Sequence, residues 1–136
     1  MNDARLAIAA IVLAAGKSSR MGANKLLLPL DGRPLVWRAV SSACASSADV
    51  VLVVLGNEAE QVAAALPPGR YQRVDNPRYA EGLSTSLQAG LDALPDNVDG
   101  ALILLADMPF TSSATVEALL AAAREAPDRI AAMNQD

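Results

Sequence analysis

Three uninterrupted apolar runs, Ile8 to Leu13, Val50 to Leu55 and Ala101 to Ala106, divide an otherwise mixed chain. Runs this short, with no polar alternation, predict strands buried on both faces. Tyr71 to Val74 reads as a shorter strand, and Arg129 to Met133 as the start of another. The intervening segments carry helix signals. Pro34 suits the first turn of a helix reaching about Ser47, because its fixed φ is already helical. Gly56-Asn57 leads into a second helix, with Asn57 and Glu60 spaced as a capping box, and Pro67-Pro68-Gly69 ends it. Leu83, Leu87, Leu91 and Leu94 recur at helical spacing and predict one apolar face. Thr111, Ser112 and Ser113 offer N-caps for a fourth helix running to about Glu125. Alternating strands and helices predict an α/β fold, a mainly parallel sheet in a three-layer α/β/α arrangement, with residues 1–136 in one domain.

Composition narrows this picture. Hydrophobic residues make up 52% of the chain, though 28 of them are alanine, and aromatics only 3%. With 19% charged residues, the chain has the reverse of a disordered composition. No apolar run approaches the roughly 20 residues of a membrane span, so no membrane association is expected. The single cysteine, Cys44, permits no internal disulfide, and its setting between Ala43 and Ala45 reads as a packed small residue. The chain has no histidine, which removes histidine triads and histidine metal sites together. Residues 1–38 carry six Lys/Arg against two acids, a net +4, while residues 39–136 carry five against thirteen, a net −8. A basic end on an acidic chain predicts a local anion site rather than a nucleic-acid surface, which needs a broad basic face. The N-terminus lacks the form of a secretion signal, so the expected location is cytoplasmic.

In a parallel sheet the binding crevice lies beyond the carboxyl ends of the strands. Three segments fall there: residues 14–33, 75–86 and 107–110. The first is a long polar connection, of a kind that is usually functional in a compact domain. Its Gly16-Lys17-Ser18-Ser19-Arg20, followed by Asn24-Lys25, combines small residues that let backbone amides approach an anion with cations that neutralise it. It is either a polyphosphate site or a glycine-rich turn with solvated charges. A Walker A loop would need glycine where the chain has Ile11, and no dinucleotide fingerprint is present. In the third segment, Asp107 follows the most apolar strand. It is either a turn cap before Pro109 or, beside a phosphate loop, a ligand for magnesium, which takes one or two carboxylates plus phosphate oxygens. In the second, Asn76 and Gly82 to Ser86 bring small polar residues to a helix N-terminus, as an ordinary cap or as an anion or base contact. Lys17 and Arg38 read as solvated charges.

The stretch Leu13-Ala14-Ala15-Gly16-Lys17-Ser18-Ser19-Arg20-Met21-Gly22, with Asn24-Lys25 and Gly32-Arg33-Pro34, resembles the signature of nucleotidyltransferases of the NTP-transferase fold. Asp107-Met108-Pro109 and Asn76 through Ser86 match two further motifs, the latter in a form most similar to the molybdenum cofactor cytidylyltransferases. The resemblance runs from about Ile8 to Ala123. It implies a Rossmann-like sheet and transfer of CMP from CTP to a molybdopterin-type acceptor with release of pyrophosphate, and a molybdoenzyme as the partner that receives the cofactor. Residue by residue, it makes Leu13, Ala14, Ala15 and Gly16, with Ser18, the nucleotide platform. Arg20 and Lys25 would hold the triphosphate, Asn76 would contact the nucleotide, and Gly82, Ser84 and Ser86 would help read the base. Asp107 would hold Mg2+, the one cofactor implied. Ala15, where guanylyltransferase relatives carry a second glycine, favours CTP over GTP. Other readings are a GTP-using molybdopterin guanylyltransferase, a sugar-1-phosphate nucleotidyltransferase, and a non-catalytic nucleotide-binding module serving molybdoenzyme maturation. The resemblance also implies that the family domain continues past Asp136, so the chain corresponds to its N-terminal two-thirds.

Overall fold

Ile8–Ala14 forms the central strand, β1, and all seven of its residues are buried. The structure, a computed structural model, describes residues 6–16, 19–20, 23–108, 112–125 and 131–132, of which 19–20, 23 and 131–132 are described by their backbone. After β1 come two small antiparallel ribbons, β2 (Ser19–Arg20) with β3 (Ala23–Asn24) and β4 (Pro29–Leu30) with β5 (Arg33–Pro34). Then follow α1 (Leu35–Ala45), β6 (Val50–Leu55), α2 (Ala59–Ala64), β7 (Gln72–Asp75) and α3 (Leu83–Asp92). The described elements end with β8 (Gly100–Leu105), α4 (Ser113–Glu125) and β9 (Ala131–Ala132).

The main sheet has the order β7-β6-β1-β8-β9, and every pairing in it is parallel. Strand alternation divides the core in two. Ile8, Ala10, Val12 and Ala14 of β1 pack with Val51, Val53, Leu102 and Leu104 against α1, α2 and α4. Ile11 and Leu13 pack with Leu52, Val54 and Ile103 against α3 on the other side. The sheet is thus covered on both faces, as its unbroken apolar strands require. Among the described residues, no helix is long and apolar enough to cross a membrane.

Polar ties hold the amino ends of the strands. The Asp49 carboxylate accepts a hydrogen bond from the Ile8 N–H (2.8 Å) and pairs with Arg124 (3.2 Å). The Asp99 carboxylate accepts one from the Ala7 N–H (2.8 Å). These contacts close that end of the sheet, leaving the carboxyl ends for chemistry.

Several expectations are corrected by long-range contacts. Residues 16–33 are not structureless where described, because the two ribbons and a 3-10 turn at Lys25–Leu27 organise them. Asp31 and Gly32 adopt positive φ of 54° and 86°, the tight turn that an Asp-Gly pair makes between two strands. Arg38 is not a solvated charge. Its Nε donates to the Leu30 carbonyl (2.7 Å) and its Nη2 to that of Asp31 (3.1 Å). The Asn57–Glu60 capping box does not form: Glu58 occupies the N-cap position of α2, and Glu60 pairs with Arg73 of β7 at 2.7 Å. The hydrogen bond from Arg73 holds the Glu60 carboxyl below its ordinary range. Leu87, Leu91 and Leu94 pack against the same side of the sheet, Leu94 from just beyond the end of α3, but Leu83 is 60% exposed, so the four-leucine face fails at its first position. Cys44 packs partly buried against the core, and burial pushes its thiol up, as suits an inert residue.

Candidate functional site

The carboxyl ends of the strands are laced together by backbone hydrogen bonds from the loops that follow them. The Leu13 carbonyl accepts from Ala106 (3.0 Å), the Ala15 carbonyl from Asn57 (2.9 Å) and the Leu55 carbonyl from Asn76 (2.7 Å). Gly16 stands clear of this lacing. It is exposed, and a Cβ added there would meet nothing within 4 Å. A ligand can therefore approach the backbone at this point.

A cavity of about 160 Å3 opens beside it. Leu13, Leu26, Leu83 and Leu105 form apolar walls, Ala15 and Gly16 a small-residue side, and Ser86 and Asp107 the polar groups. Sites for whole small molecules generally start near 300 Å3, so this space suits one end of a ligand whose remainder lies outside it. Leu83 explains itself here: it leaves the core face of α3 and lines the cavity instead. Asp107 lies in the turn closed by the Met108 N–H to Leu105 carbonyl bond (3.2 Å). Ser112, one of the three N-cap candidates, caps α4, its Oγ accepting from the Thr115 N–H (3.2 Å). Among the described residues the half-buried Asp107 carboxylate has no hydrogen-bond or ion-pair partner, which leaves it available to a cation. Also among the described residues, no group of three or more acidic, histidine or cysteine side chains could cage a metal. A lone hard oxygen ligand of this kind fits Mg2+ shared with phosphate oxygens and water, not a metal held by protein alone.

Lys25 opens the 3-10 turn next to this cavity, and Leu26, 3% exposed, anchors the turn to the core. Asn24 caps the turn. Its Oδ1 accepts from the Leu26 N–H and its Nδ2 donates to Glu58 Oε1, both at 2.9 Å. Ser18 and Lys17 lie outside the described residues, and Arg20 is described only as part of β2.

Asn76 is 3% exposed, and its side chain is occupied within the chain. Nδ2 donates to Thr85 Oγ1 (3.0 Å) and Ser86 Oγ (2.9 Å), while Oδ1 accepts from the Arg78 N–H (3.0 Å). The structure thus gives Asn76 the work of clamping the loop to α3, rather than an open face toward the cavity. Gly82 holds a φ of 125° where that loop enters α3, a conformation only glycine adopts without strain. Ser84 and Asn76 line a wider groove of about 440 Å3 with Arg78, Gln88 and Asp92. That groove includes none of Leu13, Ala15, Gly16 or Asp107, so the smaller cavity holds the concentrated chemistry. The structure therefore joins Leu13, Ala15, Gly16, Ser86 and Asp107, puts Lys25 in the turn that also supplies the lining residue Leu26, and sets Asn76 and Ser84 to one side.

Ala15 is 1% exposed. A Cβ added to Gly56 would lie 2.9 Å from the Ala15 Cβ and 2.6 Å from the Tyr79 Cβ. Ala15, Gly56 and Tyr79 are thus packed so closely that position 56 admits no side chain. Sequence reasoning missed Leu26, Leu105, Asn24 and Glu58. Asn24, placed directly before Lys25 at a turn, carried a local signal, whereas the partnership of Asn24 with Glu58 did not.

Comparison with known proteins gives a consistent result. Residues 10–136 match a family described as "MobA-like NTP transferase domain". A protein named "Bifunctional protein GlmU" from Sphingopyxis alaskensis is 38% identical over 116 residues, covering 83% of this chain and 25% of its own length. A solved nucleotidyl transferase from Methanothermobacter thermautotroptrophicus superposes with a TM-score of 0.76 at 32% identity, covering 85% of this chain and 57% of that one. Rv0371c from Mycobacterium tuberculosis gives 0.77 at 27%, covering 89% and 62%. The chain thus spans about a quarter of the length of the curated relative and about three-fifths of these two solved structures.

Proposed function

The chain belongs to the MobA-like NTP transferase domain family, and from that premise we propose that it binds CTP and transfers CMP to a phosphorylated acceptor of molybdopterin type in the cytoplasm. The observation that carries this reading is the cavity at the end of β1. There Leu13, Ala15, Gly16, Ser86 and an Asp107 carboxylate with no partner among the described residues line a space sized for one end of a nucleotide, and Lys25 directly precedes the lining residue Leu26 in the same turn.

In this reading an oxygen of the acceptor phosphate attacks the α-phosphorus of the nucleotide in line. The new P–O bond forms as the bond from the α-phosphorus to the bridging oxygen breaks, and pyrophosphate leaves with that electron pair. The reaction calls for no protein nucleophile, in keeping with a chain that has no histidine and a packed cysteine. Lys25, and Arg20 by its match to the family motif, hold fixed positive charge where negative charge accumulates. Asp107 would hold magnesium jointly with phosphate oxygens, and the bound ion would supply further charge neutralisation. The base enters the leucine-walled cavity, with Ser86 at its polar side.

Base selection follows from Ala15. Ala15 lines the cavity and packs on Gly56 and Tyr79, so replacing it with glycine removes a methyl group from the cavity wall and loosens that packing. Ala15→Gly is expected to shift the CTP-to-GTP preference toward GTP by about tenfold, the low end of what one methyl group decides in a packed site. Parallel titrations with the two nucleotides check this, and an unchanged ratio removes Ala15 from the selection.

The acceptor has a second reading, a sugar-1-phosphate, which the 38% identity to a protein named GlmU supports as well as the cofactor-branch motif supports molybdopterin. Pyrophosphate release across CTP, GTP, ATP and UTP, with molybdopterin and sugar phosphates as acceptors, tests both. The expected result is release with CTP that depends on molybdopterin. Release dependent on a sugar phosphate transfers the assignment to the second reading. Binding of CTP with no release under any acceptor makes the chain a nucleotide-binding module of molybdoenzyme maturation.

A further inference from the structure

Glu58 holds a backbone conformation that its side chain disfavours. Its φ of 51° and ψ of 45° lie in the left-handed region, where a non-glycine residue persists only if its surroundings impose it. It occupies the N-cap position of α2, yet its side chain makes no capping bond there. Its Oε1 instead accepts from Asn24 Nδ2 at 2.9 Å, across 34 positions of sequence. Asn24 is 8% exposed, and its remaining side-chain oxygen fixes the Leu26 N–H, which sets the turn that carries Lys25. One residue before Glu58, the Asn57 N–H bonds to the Ala15 carbonyl at 2.9 Å. The turn after β6 therefore grips the loop between Ala15 and Asn24 at both of its ends.

We infer that Glu58 is a positioning residue for Lys25, orienting it through Asn24 toward a bound triphosphate. The inference rests on the triphosphate reading of the site. It explains why a carboxylate stands beside a loop that binds anions: its oxygen is engaged by Asn24 and serves to hold that side chain in place. It also explains the backbone strain, since the left-handed turn delivers the carboxylate across the loop.

Glycine at this position separates the two contributions, because it accepts the left-handed conformation without strain while deleting the carboxylate. Glutamine keeps an acceptor oxygen for Asn24. The full chain and its Glu58→Gly, Glu58→Gln and Lys25→Ala variants are compared by thermal melting and by calorimetric titration with inorganic tripolyphosphate and with Mg-CTP. The expected result is a Glu58→Gly protein that melts at or above the wild-type temperature but binds tripolyphosphate about tenfold more weakly, the scale of one hydrogen bond. Glu58→Gln should keep wild-type affinity. Unchanged affinity in Glu58→Gly overturns the inference while leaving the site reading intact. A lower melting temperature with weakened binding in both variants assigns Glu58 to the fold and overturns it as well. Failure of the wild-type chain to bind either probe rejects the triphosphate reading, and the inference falls with it.

Discussion

Lys25→Ala is expected to lower pyrophosphate release by about 10²- to 10³-fold, the scale of removing one preorganised electrostatic contact from a transition state. The size follows from how the lysine is held. Its turn is pinned by the buried Leu26 and capped on its N-terminal side by Asn24. Among the described residues no carboxylate neutralises the ammonium, so its charge remains available to an incoming anion. The same features predict little effect on the fold, since Lys25 is only partly buried and pairs with no carboxylate among the described residues. Lys25→Arg should recover only part of the rate, because a planar fork cannot reproduce the point charge of an ammonium. Steady-state kinetics alongside a melting curve check both expectations. Near-normal turnover in Lys25→Ala at an unchanged melting temperature would refute the role given to this lysine.

Asp107→Asn is expected to cost a similar factor, about 10²- to 10³-fold, by removing the negative charge that would hold a cation against the phosphates. Asparagine is a stringent replacement here. It keeps the shape of aspartate and forms turns equally well, so a purely structural Asp107 would tolerate it. The contact between Met108 and Leu105 that closes the turn is made by the backbone and survives the exchange. The distinguishing measurement is a magnesium titration of the rate. A metal ligand predicts that the variant needs more magnesium and is partly restored by excess, and a turn residue predicts wild-type rate and wild-type magnesium dependence.

The three long strands were legible because a parallel strand covered on both faces must be apolar throughout, and such runs carry their own boundaries. Val50–Leu55 coincides with its apolar run, β1 extends one residue beyond its run, and β8 is shifted by one residue toward the N-terminus. α1 begins one residue after Pro34, since a fixed φ is a local property. The candidate segments were legible too, because the crevice of a parallel sheet follows from strand direction. Partner choice was less accessible. Glu60 had a local role available as a capping residue, and Arg73 on the adjacent strand displaced that role. Leu83 fitted an apolar helical stripe, yet it sits where α3 meets the cavity, and the stripe does not say where a helix leaves the sheet it covers. Arg38 looked solvated because its acceptors are backbone carbonyls of a turn seven and eight residues away.

By itself, the sequence determined the alternation of strands and helices, the burial of the sheet on both faces and the gathering of small and basic residues at the end of the first strand. Each of these depends on interactions within a few positions, or on the bulk requirement that apolar surface leave water. Only the tertiary structure decided that Leu83 walls a cavity, that Asn76 is consumed by Thr85 and Ser86, and that Glu58 reaches Asn24. Those contacts depend on the order β7-β6-β1-β8-β9, which sets the loops after β1 and β6 side by side and brings the β8 turn to the same cavity. A hydrogen bond across 34 residues has no local periodicity to announce it. It exists because two neighbouring parallel strands deliver their following loops to the same edge.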